Sequence, residues 1–166
     1  MNDELTALDI QKLQKELDER NAMMPEIIEE VKRTRAFGDL SENFEYKEAK
    51  RAQNRNRSRI RYLERMIASA RIIDTRSAND EVGLFDRVEV YIPEDGETQV
   101  IQVVTTVRCD PLKGFVSRES PFGKAVLGRR VGDRVTVQVS DSYSYEAEIR
   151  SITKAEDDGS APLRSF

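Results

Sequence analysis

A chain of 166 residues that is 38% apolar and 35% charged has too little apolar material for one large core. A long solvated element beside a small globular one fits better. The lone Cys109 excludes a disulfide framework, and the lack of any histidine excludes imidazole catalysis and ordinary zinc sites. The net charge of −4 is unremarkable, no signal peptide is evident and no apolar run reaches membrane-spanning length, so a cytoplasmic protein with no membrane partner is expected.

In chain order, the first helix is predicted from about Leu5 to Phe37. Ile10, Leu13, Leu17, Met24, Ile28 and Val31 recur at spacings of three, four and seven, the seam of a coiled coil. Pro25 falls inside it and removes a backbone donor, which predicts a kink or short break near Asn21–Pro25. Residues 38–43 then interrupt the helical pattern. Gly38 suits the left-handed position past a helix end, Asp39 suits an N-cap, and Glu42 follows three residues on. The second helix is predicted from about Ser41 to Ile73, with a seam of Ala49, Ala52 or Gln53, Asn56, Ile60, Leu63, Ile67 and Ala70. Folded back on each other, the helices make a hairpin reaching roughly 45 Å, at about 1.5 Å per residue, with two carboxylates at its tip. Both seams weaken toward that tip, predicting a slim and less stable end. Residues 1–30 hold three Lys/Arg against nine Asp/Glu, and residues 46–71 hold nine against two, so the antiparallel pairing is electrostatically favourable.

After Asp74 the period changes to two. Strands are predicted over Asp86–Ile92 and Gln99–Val107, joined through Pro93-Glu94-Asp95-Gly96, then over Gly114–Arg118, Val135–Val139 and Tyr143–Ile152. A short helix is predicted over Pro121–Gly128. The fold class is therefore α+β in two domains: a coiled-coil hairpin over 1–76, a linker over 77–82, a small antiparallel sheet domain with one helix over 83–153, and a disordered tail over 154–166.

Three groups of residues have chemistry to offer. Asp39 and Glu42 read either as a capping pair or as ligands for a hard cation. Magnesium takes six oxygens, so two tip carboxylates need a second macromolecule to complete a site. Lys47, Arg51, Arg61 and Arg65 lie opposite the Ile60–Leu63–Ile67 seam, continued by Asn54 and Ser58. That stripe is either a solvated face or a surface for phosphates, and Phe44 and Tyr62 fall off the seam, where a ring can stack on a base. Ser120-Pro121-Phe122 either starts the short helix and plugs the sheet, or presents a docking knob. Cys109 has no histidine anywhere in the chain to pair with, which argues against a catalytic thiolate.

The stretch Arg35-Ala36-Phe37-Gly38-Asp39-Leu40-Ser41-Glu42-Asn43-Phe44-Glu45-Tyr46, with Ile72-Ile73-Asp74 ending the seam, resembles the Gre family of bacterial transcript cleavage factors. Leu5-Thr6 with Lys12-Leu13-Gln14-Lys15-Glu16-Leu17 resembles the family's opening, and Pro25-Glu26-Ile27-Ile28 its mid-helix proline. Residues 116–128, running from Val116-Ser117-Arg118 through Pro121-Phe122-Gly123 to Leu127-Gly128, resemble its C-terminal signature. Asp39-Leu40-Ser41 favours the GreA branch, whereas the Arg-rich second helix is closer to the GreB type, so branch and released RNA length stay open. Asp9 stands where the family usually has Gly, a departure expected to affect only the helix start.

The resemblance implies a coiled coil that enters the secondary channel of bacterial RNA polymerase. It also implies an FKBP-like C-terminal domain docking on the polymerase rim through Ser120, Pro121 and Phe122. Asp39 and Glu42 would help hold the second catalytic Mg2+ jointly with the polymerase, stimulating its own hydrolysis of the nascent RNA 3′ end in backtracked complexes. Ser41, Asn43, Phe44, Tyr46, Lys47, Arg51, Arg55 and Arg61 would meet RNA or the channel wall. The chain itself would not be an enzyme, would bind no cofactor tightly alone and would take no small-molecule substrate. Two other classes remain: a channel-binding inhibitor of the same family, and a coiled-coil adaptor with no polymerase role.

Overall fold

The computed structural model describes residues 3–38 and 43–165, which divide into two compact units. The first unit, residues 10–70, is a helical hairpin. Helix α1 spans Ala7–Arg35 and α2 spans Phe44–Ser69. Their antiparallel register is fixed by cross-helix bonds: Arg59 Nε donates to Glu16 Oε2 at 2.7 Å, Arg20 Nη1 to Asn56 Oδ1 at 3.2 Å, and Asn43 Nδ2 to the Thr34 carbonyl at 2.6 Å. Leu13, Leu17, Leu63 and Met66 are buried at one end. Farther along α2 the buried positions are Arg59, Asn56, Gln53 and Ala49, so the seam turns polar and small toward the tip, as its residue types predict.

The second unit combines residues 4–9 with everything from Arg71 onward. Strands β3 (Arg87–Ile92), β4 (Glu97–Val104), β5 (Phe115–Ser117), β6 (Arg134–Gln138) and β7 (Ser144–Thr153) form one sheet in the order β5-β4-β3-β7-β6. Three of its pairings are antiparallel, as expected, while β4 and β5 run parallel because the two short 3₁₀ turns between them form a crossover. Alternation along β3 and β6 puts Val88, Val90, Ile92, Val135 and Val137 on the buried face, where Val126 of helix α3 (Pro121–Val126) joins them. Gly123 permits that packing, since a Cβ there would lie 2.1 Å from the Ser117 carbonyl.

Several boundaries differ from the sequence reading. Leu5 and Arg71–Ile72, read as helix ends, instead belong to two short strands, β1 (Glu4–Leu5) and β2 (Arg71–Ile72), which pair in parallel. A reciprocal capping box stops the first helix short of them: Thr6 N–H donates to Asp9 Oδ2 at 2.9 Å and Asp9 N–H to Thr6 Oγ1 at 3.1 Å. At the other end, extended Ala70 closes α2 before the β-branched pair Ile72-Ile73. Pro25 lies inside a continuous α1, so the short break expected near Asn21–Pro25 does not occur. Val82, placed in the linker by sequence, is buried in the sheet core. The tail read as disordered is packed through Asp157, Ala161 and Arg164, whose N–H donates to the Val107 carbonyl.

Candidate functional site

At the tip, Gly38 takes φ 103°, the left-handed conformation expected past α1. The N-cap of α2 is Asn43, whose Oδ1 accepts from the Tyr46 N–H at 3.0 Å while its Nδ2 reaches back to Thr34. The cap expected at Asp39 is thus supplied four residues later, because Asn is as good a cap and its amide can also bridge to α1. Asp39, Ser41 and Glu42 lie outside the described residues. Phe44 is 79% exposed, with the Lys47 ammonium 5.6 Å from its ring centroid, and Tyr46 is half-buried. Among the described residues no three acidic or cysteine side chains cluster as cation ligands.

The basic face of α2 is less uniform than its sequence suggests. Glu48 lies 3.3 Å from Arg51 and 3.6 Å from Arg55, so one carboxylate partly neutralises both. Arg57, Arg61 and Arg65 are exposed and have no carboxylate within ion-pair distance among the described residues; Arg61 only donates to Ser58 Oγ, at 3.4 Å. Arg59, from the same run, is buried and held by Glu16 beside the Tyr62 ring. Within one basic stretch, a solvent-facing part of α2 therefore separates from a structural part.

In the sheet unit Ser120 caps α3, accepting from Gly123 N–H at 3.0 Å and donating to the Ser117 carbonyl at 2.6 Å. Pro121 follows at the first helical position and is exposed. Phe122 is half-buried, resting against the core edge on one side and lining a cup of about 480 Å³ on the other. The other walls are Tyr143 and Tyr145, ring centroids 6.2 Å apart, with Ile101 and Val116 also lining it. Glu94 and Asp95, from the turn between β3 and β4, line it too, and Tyr143 Oη donates to Glu94 Oε2 at 3.0 Å. That bond, with burial and the Glu94 and Asp95 charges adding to it, raises the Tyr143 hydroxyl above its ordinary pKa. Burial, then the Asp95 charge, raises that of Tyr145. Sequence reasoning finds Phe122 but not its companions, which come from turns and strands far apart in the chain.

Sequence reasoning also misses Arg108. Its side chain is fully buried, its Nε 3.1 Å from Asp9 Oδ1 without hydrogen-bond alignment, its Nη1 donating to the Ala161 carbonyl at 3.1 Å and its Nη2 to Asp157. Its guanidinium lies 4.8 Å from the Phe85 ring centroid. Asp9 accordingly does more than start a helix: Oδ2 closes the capping box and Oδ1 faces Arg108. Lys154 plays a similar part nearby, its ammonium reaching Asp86 at 2.5 Å, Ser77 at 2.7 Å and the Ala78 and Glu81 carbonyls at 3.0 Å.

Two family matches cover most of the chain: residues 4–72 match "Transcription elongation factor, N-terminal", and residues 77–154 match "Transcription elongation factor, GreA/GreB, C-term". A protein named transcription elongation factor GreA from Leuconostoc mesenteroides is 40% identical over 152 residues, 90% of this chain and 95% of that one. The protein of that name from Oenococcus oeni is 37% identical over 153 residues, 91% and 94% of the two chains. Among solved structures, GreA factor homolog 1 (Gfh1) of Thermus thermophilus is 26% identical, covering 93% of this chain and 100% of its own, with a TM-score of 0.44.

Proposed function

The chain belongs to the GreA/GreB family of transcription elongation factors, and from that premise we propose that it stimulates bacterial RNA polymerase to cleave the 3′ end of nascent RNA in backtracked complexes. The observation that carries this reading is the cap at Asn43. The competing use for the tip carboxylates is to cap the second helix, and there Asn43 already accepts the Tyr46 N–H. Asp39 and Glu42 then stand as oxygen donors of the hard type that Mg2+ prefers, too few for a complete site and suited to one shared with a host. When bound, the ion would supply charge neutralisation and water activation. The remaining work falls to this chain's own groups. Phe44 and Tyr46 offer rings near the tip, Lys47, Arg51, Arg55 and Arg61 offer cations for phosphates or the channel wall, and Pro121 and Phe122 give the sheet unit an apolar contact. The hydrolytic machinery in this reading is the polymerase's own.

The test is purified protein added to a stalled, backtracked elongation complex. Shortened RNA is expected, and Asp39→Ala with Glu42→Ala should abolish the shortening while binding to polymerase persists. Full cleavage in the double variant would remove the carboxylates from the mechanism. Inhibition without cleavage by the unaltered protein would make it a channel-binding inhibitor, and failure to bind core polymerase would leave the adaptor reading.

A further inference from the structure

The aromatic cup of the sheet unit has a composition that selects its occupant. Tyr143, Tyr145 and Phe122 line it, Val100 beside them is 63% exposed, and Glu94 and Asp95 are its charged members. Among the described residues no Lys or Arg lines it. A purely apolar guest would bury those carboxylates without compensation, which is costly. An anion would be repelled by the Glu94 and Asp95 carboxylates. We infer that the cup receives an arginine side chain projecting from the protein partner on which this domain docks, its methylenes against Val100 and Phe122 and its guanidinium over the tyrosines and facing Glu94 and Asp95.

Arginine suits the cup better than lysine for a geometric reason. A planar guanidinium stacks on tyrosine faces and offers a fork of donors to two carboxylates, whereas an ammonium is a strongly hydrated point charge. The stem of either side chain can lie on apolar surface while its head stays with the acids. Tyr143 is already bonded to Glu94, so one wall and one acid are ordered before a guest arrives, which lowers the cost of binding.

The identity of the partner as bacterial RNA polymerase rests on the function proposed above, and the experiment separates the two claims. Affinity of the full chain for core polymerase is measured at low and high salt, for the unaltered protein and for Glu94→Gln/Asp95→Gln. Both positions sit on an exposed turn, so the melting temperature should hold. The expected result is about tenfold weaker binding at low salt and a flatter salt dependence. Unchanged affinity and salt dependence would overturn the cup while leaving polymerase docking intact. If the unaltered protein does not bind polymerase at all, the docking claim fails and a second arm decides the cup. In that arm N-acetyl-argininamide and its neutral isostere N-acetyl-citrullinamide are titrated into the isotopically labelled full chain. Shifts at Val100, Tyr143 and Tyr145 should need about tenfold less argininamide than citrullinamide. Equal titrations, or shifts elsewhere, would reject an arginine site.

Discussion

The hairpin and the sheet unit bury opposite kinds of material. In the sheet unit the interior is aliphatic, from Val88 and Val90 through Val103, Val135 and Ile149. In the hairpin only the end at Leu13, Leu17, Leu63 and Met66 is of that kind. Beyond it Arg59, Asn56 and Gln53 are the buried positions of α2; Glu16 answers Arg59, Arg20 answers Asn56, and Thr34 answers Asn43 at the start of the helix. Apolar burial stabilises in proportion to area and is indifferent to direction, whereas a ladder of hydrogen bonds specifies one register. The sheet unit is thus built to be stable, and the hairpin to keep a narrow rod in register with little apolar bulk.

The largest effect should come from the one place where the sheet unit breaks its own pattern. Arg108→Ala leaves Asp9 and Asp157 facing an empty interior and should cost about 3–5 kcal/mol of stability. Amide exchange should then accelerate in residues 4–9, in the tail and through the sheet, while the hairpin's middle stays protected. Uniform loss of protection in both units would mean that they unfold as one, and the contrast between them would collapse. A smaller loss is expected for Asn56→Ala, about 1–2 kcal/mol, confined to exchange in the hairpin. The informative companion is Asn56→Leu: if it matches or exceeds the unaltered stability, the polar ladder serves register and slenderness and not stability. The smallest effect is that of Asn43→Ala, about 1 kcal/mol from a lost cap. Faster exchange at Tyr46 and Lys47 should register it, and no change there would show that the first turn of α2 is held by other contacts.

Both helices and the switch to a period of two are legible in the sequence because each rests on periodic burial. Their boundaries are less so. Thr6-x-x-Asp9 has the form of a capping box, but the apolar Leu5 ahead of it continues the seam and hides it. Asp39 and Asn43 are both good caps by type, and what favours Asn43 is its amide bond to Thr34, a tertiary contact. The polar tail reads as disordered because composition shows a lack of apolar residues and cannot show that a buried arginine needs Asp157. The cup is hidden for a related reason: Glu94, Phe122 and Tyr143 come together through turns, and no local pattern records that.

The strand order β5-β4-β3-β7-β6 has a consequence for how the protein is made. The last strand synthesised, β7, lies between β3 and β6, so neither pair of neighbours can close until residue 153 has left the ribosome. Lys154 and Asp157, which secure the 77–86 loop and Arg108, follow later still. The hairpin, by contrast, has both its helices once residue 69 has emerged. During translation the arm therefore has its partners early, and β3, β4 and β5 can pair once residue 117 has emerged, while β6 and the inner edge of β3 stay unpaired until β7 is made. Those strands are the part of the nascent chain most in need of shielding from their neighbours.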